Sequence, residues 1–194
     1  MRKYPVNEIF YSLQGEGHFC GTPAVFVRFA GCNLHCPFCD TDHADGVPMT
    51  ALEIVATVSR FPARHIILTG GEPSLHITQE LIAALHEAGA FVAIETNGTH
   101  ALPEGIDWVT LSPKDAYVAG AQPVLAACDE LKVVFDGSEP ATHYGIRAHY
   151  RYLQPCDTGD AECNAVITKK AVAWCLAHPD WRLSLQVHKI LDIA

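Results

Sequence analysis

The chain has no long apolar run. No stretch approaches the ~20 consecutive apolar residues that a helix needs to cross a bilayer. Its first residues, MRKYPVNEIFYSLQGEG, carry two early basic groups without the apolar segment of a secretory signal. A membrane span is therefore not expected, and a cytoplasmic location is. Positive charge is also scarce, with 13 Lys and Arg against 22 Asp and Glu and a formal net charge of −9. Little is left to neutralise a phosphate backbone, so non-specific nucleic-acid binding is not expected. Repeats, low-complexity tracts and linkers are absent, which makes the 194 residues one domain, long enough to bury a core.

Cysteine, by contrast, is plentiful: the chain has eight. In a reducing compartment such a count points to metal or catalytic thiols rather than to a disulfide framework. Cys32, Cys36 and Cys39 stand in GCNLHCPFCDT with the spacing C-x3-C-x2-C, at the end of an apolar run. Thiolates this dense converge on one metal centre, and packing alone does not ask for them. Structural zinc sites and ordinary iron–sulfur clusters take four protein ligands, so three leave a coordination position open. A zinc knuckle completed by His35 or His43 is the alternative. Cys20, Cys128, Cys156, Cys163 and Cys175 are dispersed; Cys128 and Cys175 are expected to be buried small hydrophobes. Cys156 and Cys163, in a Gly/Asp-rich loop, are too few for a second cluster.

Short β-type runs alternate with helical patterns. AVFVRFAG leads into the cysteine loop. TALEIVATVSRF opens on the capping-box pattern of Thr50 and Glu53. HIILTGG precedes TQELIAALHEAG, which ends at Gly89. FVAIETNG, DWVTLSP and ELKVVF read as strands, residues 141–150 as a helix and RYLQP as a strand. TKKAVAWCLAHP then forms a helix, and RLSLQVH is the last strand. This alternation predicts an α/β fold with a largely parallel sheet, and EIFYSLQGEG forms a strand and turn outside it.

The strands are not uniformly apolar, as a sheet covered on both faces would require. Polar groups recur at alternate positions: Arg28; Glu95 and Asn97; Ser112 and Lys114; Glu130 and Lys132; Ser184, Gln186 and His188. Period two collects each set on one face. The pattern predicts a curved sheet, apolar outside against helices and polar inside around an occupied lumen. A closed eight-fold barrel takes about 250 residues, so an incomplete barrel is expected. For a single strand a solvated edge is the competing explanation, although Arg28 sits between Val and Phe on both sides.

The cysteine string, with Phe38 just before its last cysteine, resembles the signature of the radical S-adenosylmethionine (SAM) superfamily. The resemblance implies an incomplete (β/α) radical-SAM-type barrel. Its three thiolates would hold a [4Fe–4S] cluster whose open iron is chelated by SAM, the source of a 5′-deoxyadenosyl radical. TGGEP, Thr69 to Pro73, resembles the superfamily's glycine motif. EIFYSLQGEG, VFVRFAGCNL, CDTD, TGGEP, IETNGT, SPK, ELKVV, YLQP and WRLSLQVHKILDIA occur in the order found in the 7-carboxy-7-deazaguanine synthases, a match from residue 8 to the C-terminus. That family contracts the ring of 6-carboxy-5,6,7,8-tetrahydropterin to 7-carboxy-7-deazaguanine with loss of ammonia. It uses SAM catalytically and is aided by Mg2+, on the route to queuosine and other deazapurines. A different small radical SAM enzyme, such as a glycyl-radical activase, is the runner-up; LQGEG and Arg28 argue against a protein substrate.

Carried over by resemblance, Leu13, Gln14, Gly15, Glu16, Arg28, Thr69, His188 and Ala194 would bind substrate. Arg28 would grip its carboxylate, where a planar guanidinium binds bidentately, unless it is tied up in an ion pair with Glu95 or Glu130. His188 is equally read as a satisfied core histidine. Phe38, Cys39, Asp40, Gly71, Ser112, Pro113, Lys114, Gln154, Pro155, Cys156 and Asp157 would contact SAM. Thr41, otherwise a turn residue, would offer its hydroxyl to Mg2+. The N-terminal strand and turn (1–23) and the tail (182–194) would close the substrate site of a single domain. An electron donor of flavodoxin or ferredoxin type and a homodimer are implied in the same way.

Overall fold

The computed structural model describes residues 2–140 and 145–193. Its elements are β1 (Tyr4–Leu13), β2 (Pro23–Phe29), β3 (Val47–Met49), α1 (Ala51–Val58), β4 (His65–Gly70), a 3-10 turn at Pro73–Leu75, α2 (Gln79–Glu87), β5 (Phe91–Thr96), β6 (Trp108–Leu111), β7 (Ala127–Phe135), β8 (Arg147–Pro155), α3 (Ala161–Ala177), β9 (Arg182–Leu183) and α4 (Val187–Leu191). They form one nine-stranded sheet in the order β3-β1-β2-β4-β5-β6-β7-β8-β9. From β2 onward every neighbouring pair is parallel, while β1 runs antiparallel to both β2 and β3. The sheet curves, so that groups from β5, β7, the turn after β1 and the segment after β9 meet inside it. This is the incomplete (β/α) barrel expected from the strand pattern.

The period-two pattern separates the faces as anticipated. Val25, Val27 and Phe29 of β2, Ile66 and Leu68 of β4, and Val92 and Ile94 of β5 face outward, buried with Ile54 of α1 and Leu81, Ile82 and Leu85 of α2. A second outer cluster joins Leu131, Val133 and Phe135 of β7 to Leu153, to Ile167 and Ala171 of α3, and to Trp181. Inside, the base of the lumen is sealed by Ala24, Ile67 and Ala93 with Phe26 and Trp108. Above that seal the inner face is polar.

Local signals hold the helices. The Thr50 side chain accepts from the Glu53 N–H at 3.3 Å and Glu53 accepts from the Thr50 N–H at 2.7 Å, a complete capping box; a cap of this kind stabilises by about 1 kcal/mol. Thr78 caps α2, and Gly89 takes the left-handed conformation beyond its end (φ +79°), where a side chain would be strained. No helix among the described residues is long and apolar enough to cross a membrane.

Three expectations need correction. The helix read over 141–150 falls partly outside the described residues, and Arg147–Tyr150 is the start of β8. This segment pairs with Ala127–Glu130 of β7, because the edge of β7 must find partners for its backbone groups and that need outweighs modest helix propensity. Helix α3 begins at Ala161 rather than near Thr168, since Asp160 caps it by accepting from the Cys163 N–H at 2.8 Å. Cys163 is consequently exposed on its first turn, while Cys156 is buried. Finally, RLSLQVH is a strand only over Arg182–Leu183. The Ser184 hydroxyl accepts from the Gly17 N–H (3.0 Å) and donates to Gln154 Oε1 (2.9 Å). The Val187 N–H then donates to the Gly15 carbonyl (2.9 Å). These inward bonds to the turn after β1 end the strand and start α4, which carries His188.

Candidate active site

A cavity of about 650 Å³ opens at the carboxyl ends of the parallel strands, where α/β barrels and open sheets place their sites. Its walls come from the loop after β2, the ends of β4, β5, β7 and β8, the turn after β1, and α4.

One wall is the cysteine loop. Cys32, Cys36 and Cys39 all line the cavity, with Phe38, Asp40 and Thr41 beside them. Burial raises the Cys32 and Cys36 thiols above the ordinary value. The charges of Glu72 and Cys39 add to this at Cys32, and those of Cys32 and Cys39 at Cys36. Protein alone thus resists ionising these two thiols, and a cationic centre would remove that resistance. The Leu34 N–H donates to Cys32 Sγ at 3.4 Å. The ring of Phe38 stands edge-on to Tyr117, 4.8 Å between centroids. His35 is exposed and does not line the cavity. Among the described residues no group of three or more His, Cys, Asp or Glu is preset to hold a metal ion, the three cysteines included, and His43, the other ligand of the zinc-knuckle alternative, lines the cavity.

The glycine turn packs against this loop. A Cβ on Gly71 would lie 2.0 Å from the Gly31 carbonyl oxygen, and one on Gly70 (φ +126°) 2.2 Å from that of Phe29. Glycine is required for β4 to approach the root of the cysteine loop, and both residues still line the cavity. The Glu72 side chain, 1% exposed, accepts from Thr96 Oγ1 (2.6 Å) and from the N–H groups of Asn97 (2.7 Å) and Ser74 (3.0 Å). Asn97 in turn donates to Asn33 (3.1 Å), and Asn33 to Thr99 (2.9 Å), which fastens the cysteine loop to the end of β5.

The opposite wall is ionic and buried. Lys132 of β7 lies 2.5 Å from Glu16 and 2.8 Å from Glu95. Burial alone would push the ammonium down, but Glu16, Glu95 and Glu130 outweigh it and raise its pKa. Burial likewise opposes ionisation of Glu16, yet Lys132 holds that carboxyl below its usual value; at Glu95 burial prevails and the pKa rises. Gln14 donates to Glu95 (3.2 Å) and accepts from the Glu16 N–H (3.1 Å), and Gln186 donates to Glu16 (3.1 Å). Glu130 sits just below, accepting from the His18 N–H at 3.0 Å. Burial first, and then the charge of Glu95, push it up to about 7. Lys114, between the two walls, donates to the Ser112 carbonyl and hydroxyl, each at 2.6 Å, and burial lowers it to about 8.

Arg28 lines the cavity and is paired, but with Glu8 of the adjoining β1 (2.7 Å through Nε) rather than with Glu95 or Glu130. Register sets this, since Glu8 stands directly opposite Arg28. The guanidinium carbon lies 5.6 Å above the Phe10 ring. Among the described residues only Nε is hydrogen-bonded, to Glu8, which leaves the terminal nitrogens to a ligand.

Thr69, Gly71, Ser112, Gln154, Pro155, Cys156, Asp157 and His188 also line the cavity; Leu13, Gly15 and Pro113 do not. Gly15 backs His188, where an added Cβ would lie 2.2 Å from Nδ1. Ala194 lies outside the described residues. Sequence reasoning did not single out Glu72, Thr96, Glu8 or Lys189. A glutamate beside two glycines reads as a turn residue, and the partners that bury it come from another strand.

The radical SAM superfamily model matches residues 26–128. The 7-carboxy-7-deazaguanine synthase of Bacteroides thetaiotaomicron is 54% identical over 193 residues, covering 100% of this chain and 99% of its own. That of Nitratidesulfovibrio vulgaris is 44% identical, covering 98% and 99%. The chain belongs to the 7-carboxy-7-deazaguanine synthase family. The crystal structure of QueE from Escherichia coli superposes with a TM-score of 0.76 at 28% identity, covering 96% of this chain and 95% of that one. Membership in this radical SAM family brings a [4Fe–4S] cluster and SAM with it. The donor set suits the cluster in its chemistry: three thiols line one cavity, and burial and neighbouring charge hold those of Cys32 and Cys36 above the ordinary value.

Proposed function

We infer that this member of the family is itself a 7-carboxy-7-deazaguanine synthase. It contracts 6-carboxy-5,6,7,8-tetrahydropterin to 7-carboxy-7-deazaguanine and ammonia. The conversion is redox-neutral, since substrate less ammonia has the composition of product. The observation that carries this reading is that one cavity is lined both by the cysteine triad and by Arg28 with the polar set of Gln14, Glu16, Glu95 and Lys132.

Cys32, Cys36 and Cys39 would hold the cluster. Phe38, Cys39, Asp40, Gly71, Ser112, Lys114, Gln154, Pro155, Cys156 and Asp157 would line the SAM site, with Pro113 setting the backbone between Ser112 and Lys114. When bound, cluster and SAM supply the one-electron chemistry that removes and returns a substrate hydrogen; the protein binds, orients and excludes water. The terminal nitrogens of Arg28 would take the substrate carboxylate. Gln14 and Glu16, fixed by Glu95, Lys132 and Gln186, would face the amide and amino edge, and His188 and Thr69 would complete the pocket. Leu13 and Gly15 would act through backbone shape. Thr41 would give its hydroxyl to Mg2+, whose other ligands must be substrate oxygens and water. The segments 1–23 and 182–194, Ala194 included, would close the site of a single domain. We include in this reading a cytoplasmic homodimer reduced by a flavodoxin or ferredoxin.

The test is anaerobic reconstitution followed by SAM, reductant and the carboxytetrahydropterin. Product and ammonia should form in equal amounts, and Mg2+ should raise the rate. An intact cluster that turns over no pterin would overturn the assignment.

A further inference from the structure

Helix α4 lacks what holds most helices in place. It has five residues, none buried and none capped by a side chain, and Ile190, Leu191 and Ile193 are exposed. A segment this short is unstable unless something else fixes it. Gln186 and His188 nevertheless line the cavity. On one side Val187 and Gln186 are bonded to Gly15 and Glu16. On the other, Lys189 Nζ lies 2.5 Å from Asp40 Oδ2 and 2.7 Å from Asp157 Oδ2. Asp40 follows Cys39 on the cysteine loop, Asp157 follows Cys156 at the end of β8, and both line the cavity. Asp157 is set for this contact, because its Oδ1 already accepts from the Gly159 N–H (3.0 Å) and from Asn164 (2.7 Å), which leaves Oδ2 to the lysine.

We propose that Lys189 is a positioning residue, a latch that ties the C-terminal helix across the cavity mouth to the cysteine loop and to the end of β8. This rests on the reading of the site given above. The latch makes closure over the substrate, through Gln186 and His188, depend on the same contacts that hold Asp40 and Asp157 at the cofactor side. Its strength suits the role. The side chains of Lys189, Asp40 and Asp157 are 34%, 52% and 35% exposed, and ion pairs in such settings add little to global stability. Such a contact orders a tail and still opens for substrate entry.

The test compares Lys189→Ala, Lys189→Met and Lys189→Arg with the parent enzyme. Loss of the charge in Ala or Met should raise KM for the carboxytetrahydropterin by about tenfold with a smaller change in kcat. It should also raise the 5′-deoxyadenosine released per product and speed amide hydrogen exchange over residues 187–193, leaving β2 to β7 protected. Lys189→Arg, which can still span two carboxylates, should restore KM, coupling and slow exchange. Unchanged KM, coupling and tail exchange in Lys189→Ala would overturn the latch. So would a Lys189→Met variant that behaves like the parent, since the stem alone would then suffice. The exchange comparison needs no pterin, so it decides the latch even if the substrate assignment fails.

Discussion

The two walls of the cavity are built on opposite terms. The ionic wall, Lys132 with Glu16, Glu95 and Gln14, is buried and bonded within itself. The cysteine wall is a loop whose thiols are partly exposed and whose charges oppose one another. The first is preorganised and keeps its shape without a ligand. The second is incomplete until something cationic joins it. A fold that places both around one lumen can hold a polar substrate rigidly while leaving the reactive centre to an added group.

The comparison breaks most visibly at the cysteines. Cys36→Ser should abolish cluster absorbance and turnover, yet the cluster-free protein should lose under about 1 kcal/mol of stability, because the thiol is not part of a packed core. Urea melts of the cluster-free proteins check this, and a large loss would show that the loop is structural after all. Lys132→Met should do the reverse. It leaves Glu16 and Glu95 buried without their cation, which costs about 3 kcal/mol near neutral pH. The loss should shrink as acid protonates the carboxylates, and melts at pH 8 and pH 5 would show it. Equal stability at both would mean that the ionic wall is not the preorganised one.

Gly15→Ala is a smaller intervention. The new methyl would meet His188 at 2.2 Å and push α4 outward, raising KM for the pterin about tenfold with the cluster spectrum unchanged. Glu130→Gln should have an effect of opposite sign. The folded pKa of about 7 lies above the ordinary carboxyl value of 4.5. Between those values the folded state keeps a proton that the unfolded chain has released, so stability falls as pH rises through that window. The amide, free of this loss, should be more stable than the parent at pH 8 by up to about 3 kcal/mol, with the difference vanishing near pH 4.5. A pH-independent difference would remove Glu130 from the ionic balance.

The parallel part of the barrel was legible because β2, β5, β7 and the run leading out of β6 alternate polar and apolar residues over a stretch long enough to mark two faces. The cysteine triad was legible because spacing alone carries it. The C-terminal closure was not. Ser184, Gln186 and His188 alternate like a strand, but only two residues there pair with the sheet, and all three turn inward through contacts with Gly17, Gln154, Glu16 and Gly15. Those partners are distant in sequence, and local periodicity cannot register them. Arg28 shows the same limit. Its need for a partner could be read from its apolar neighbours, whereas the identity of that partner, Glu8, depends on the β1–β2 register. Glu72 was missed for a related reason, since its burial follows from Thr96 and Asn97 at the end of the next strand.

The central claim is that the cysteine wall and the ionic wall serve one reaction. The most direct test is anaerobic single-turnover incubation of reconstituted enzyme with SAM, reductant and 6-carboxy-5,6,7,8-tetrahydropterin, following pterin, deazaguanine, ammonia and SAM together. The account predicts loss of pterin matched by deazaguanine and ammonia, with SAM recovered. SAM cleavage beside an unchanged pterin, in protein with an intact cluster, would contradict it.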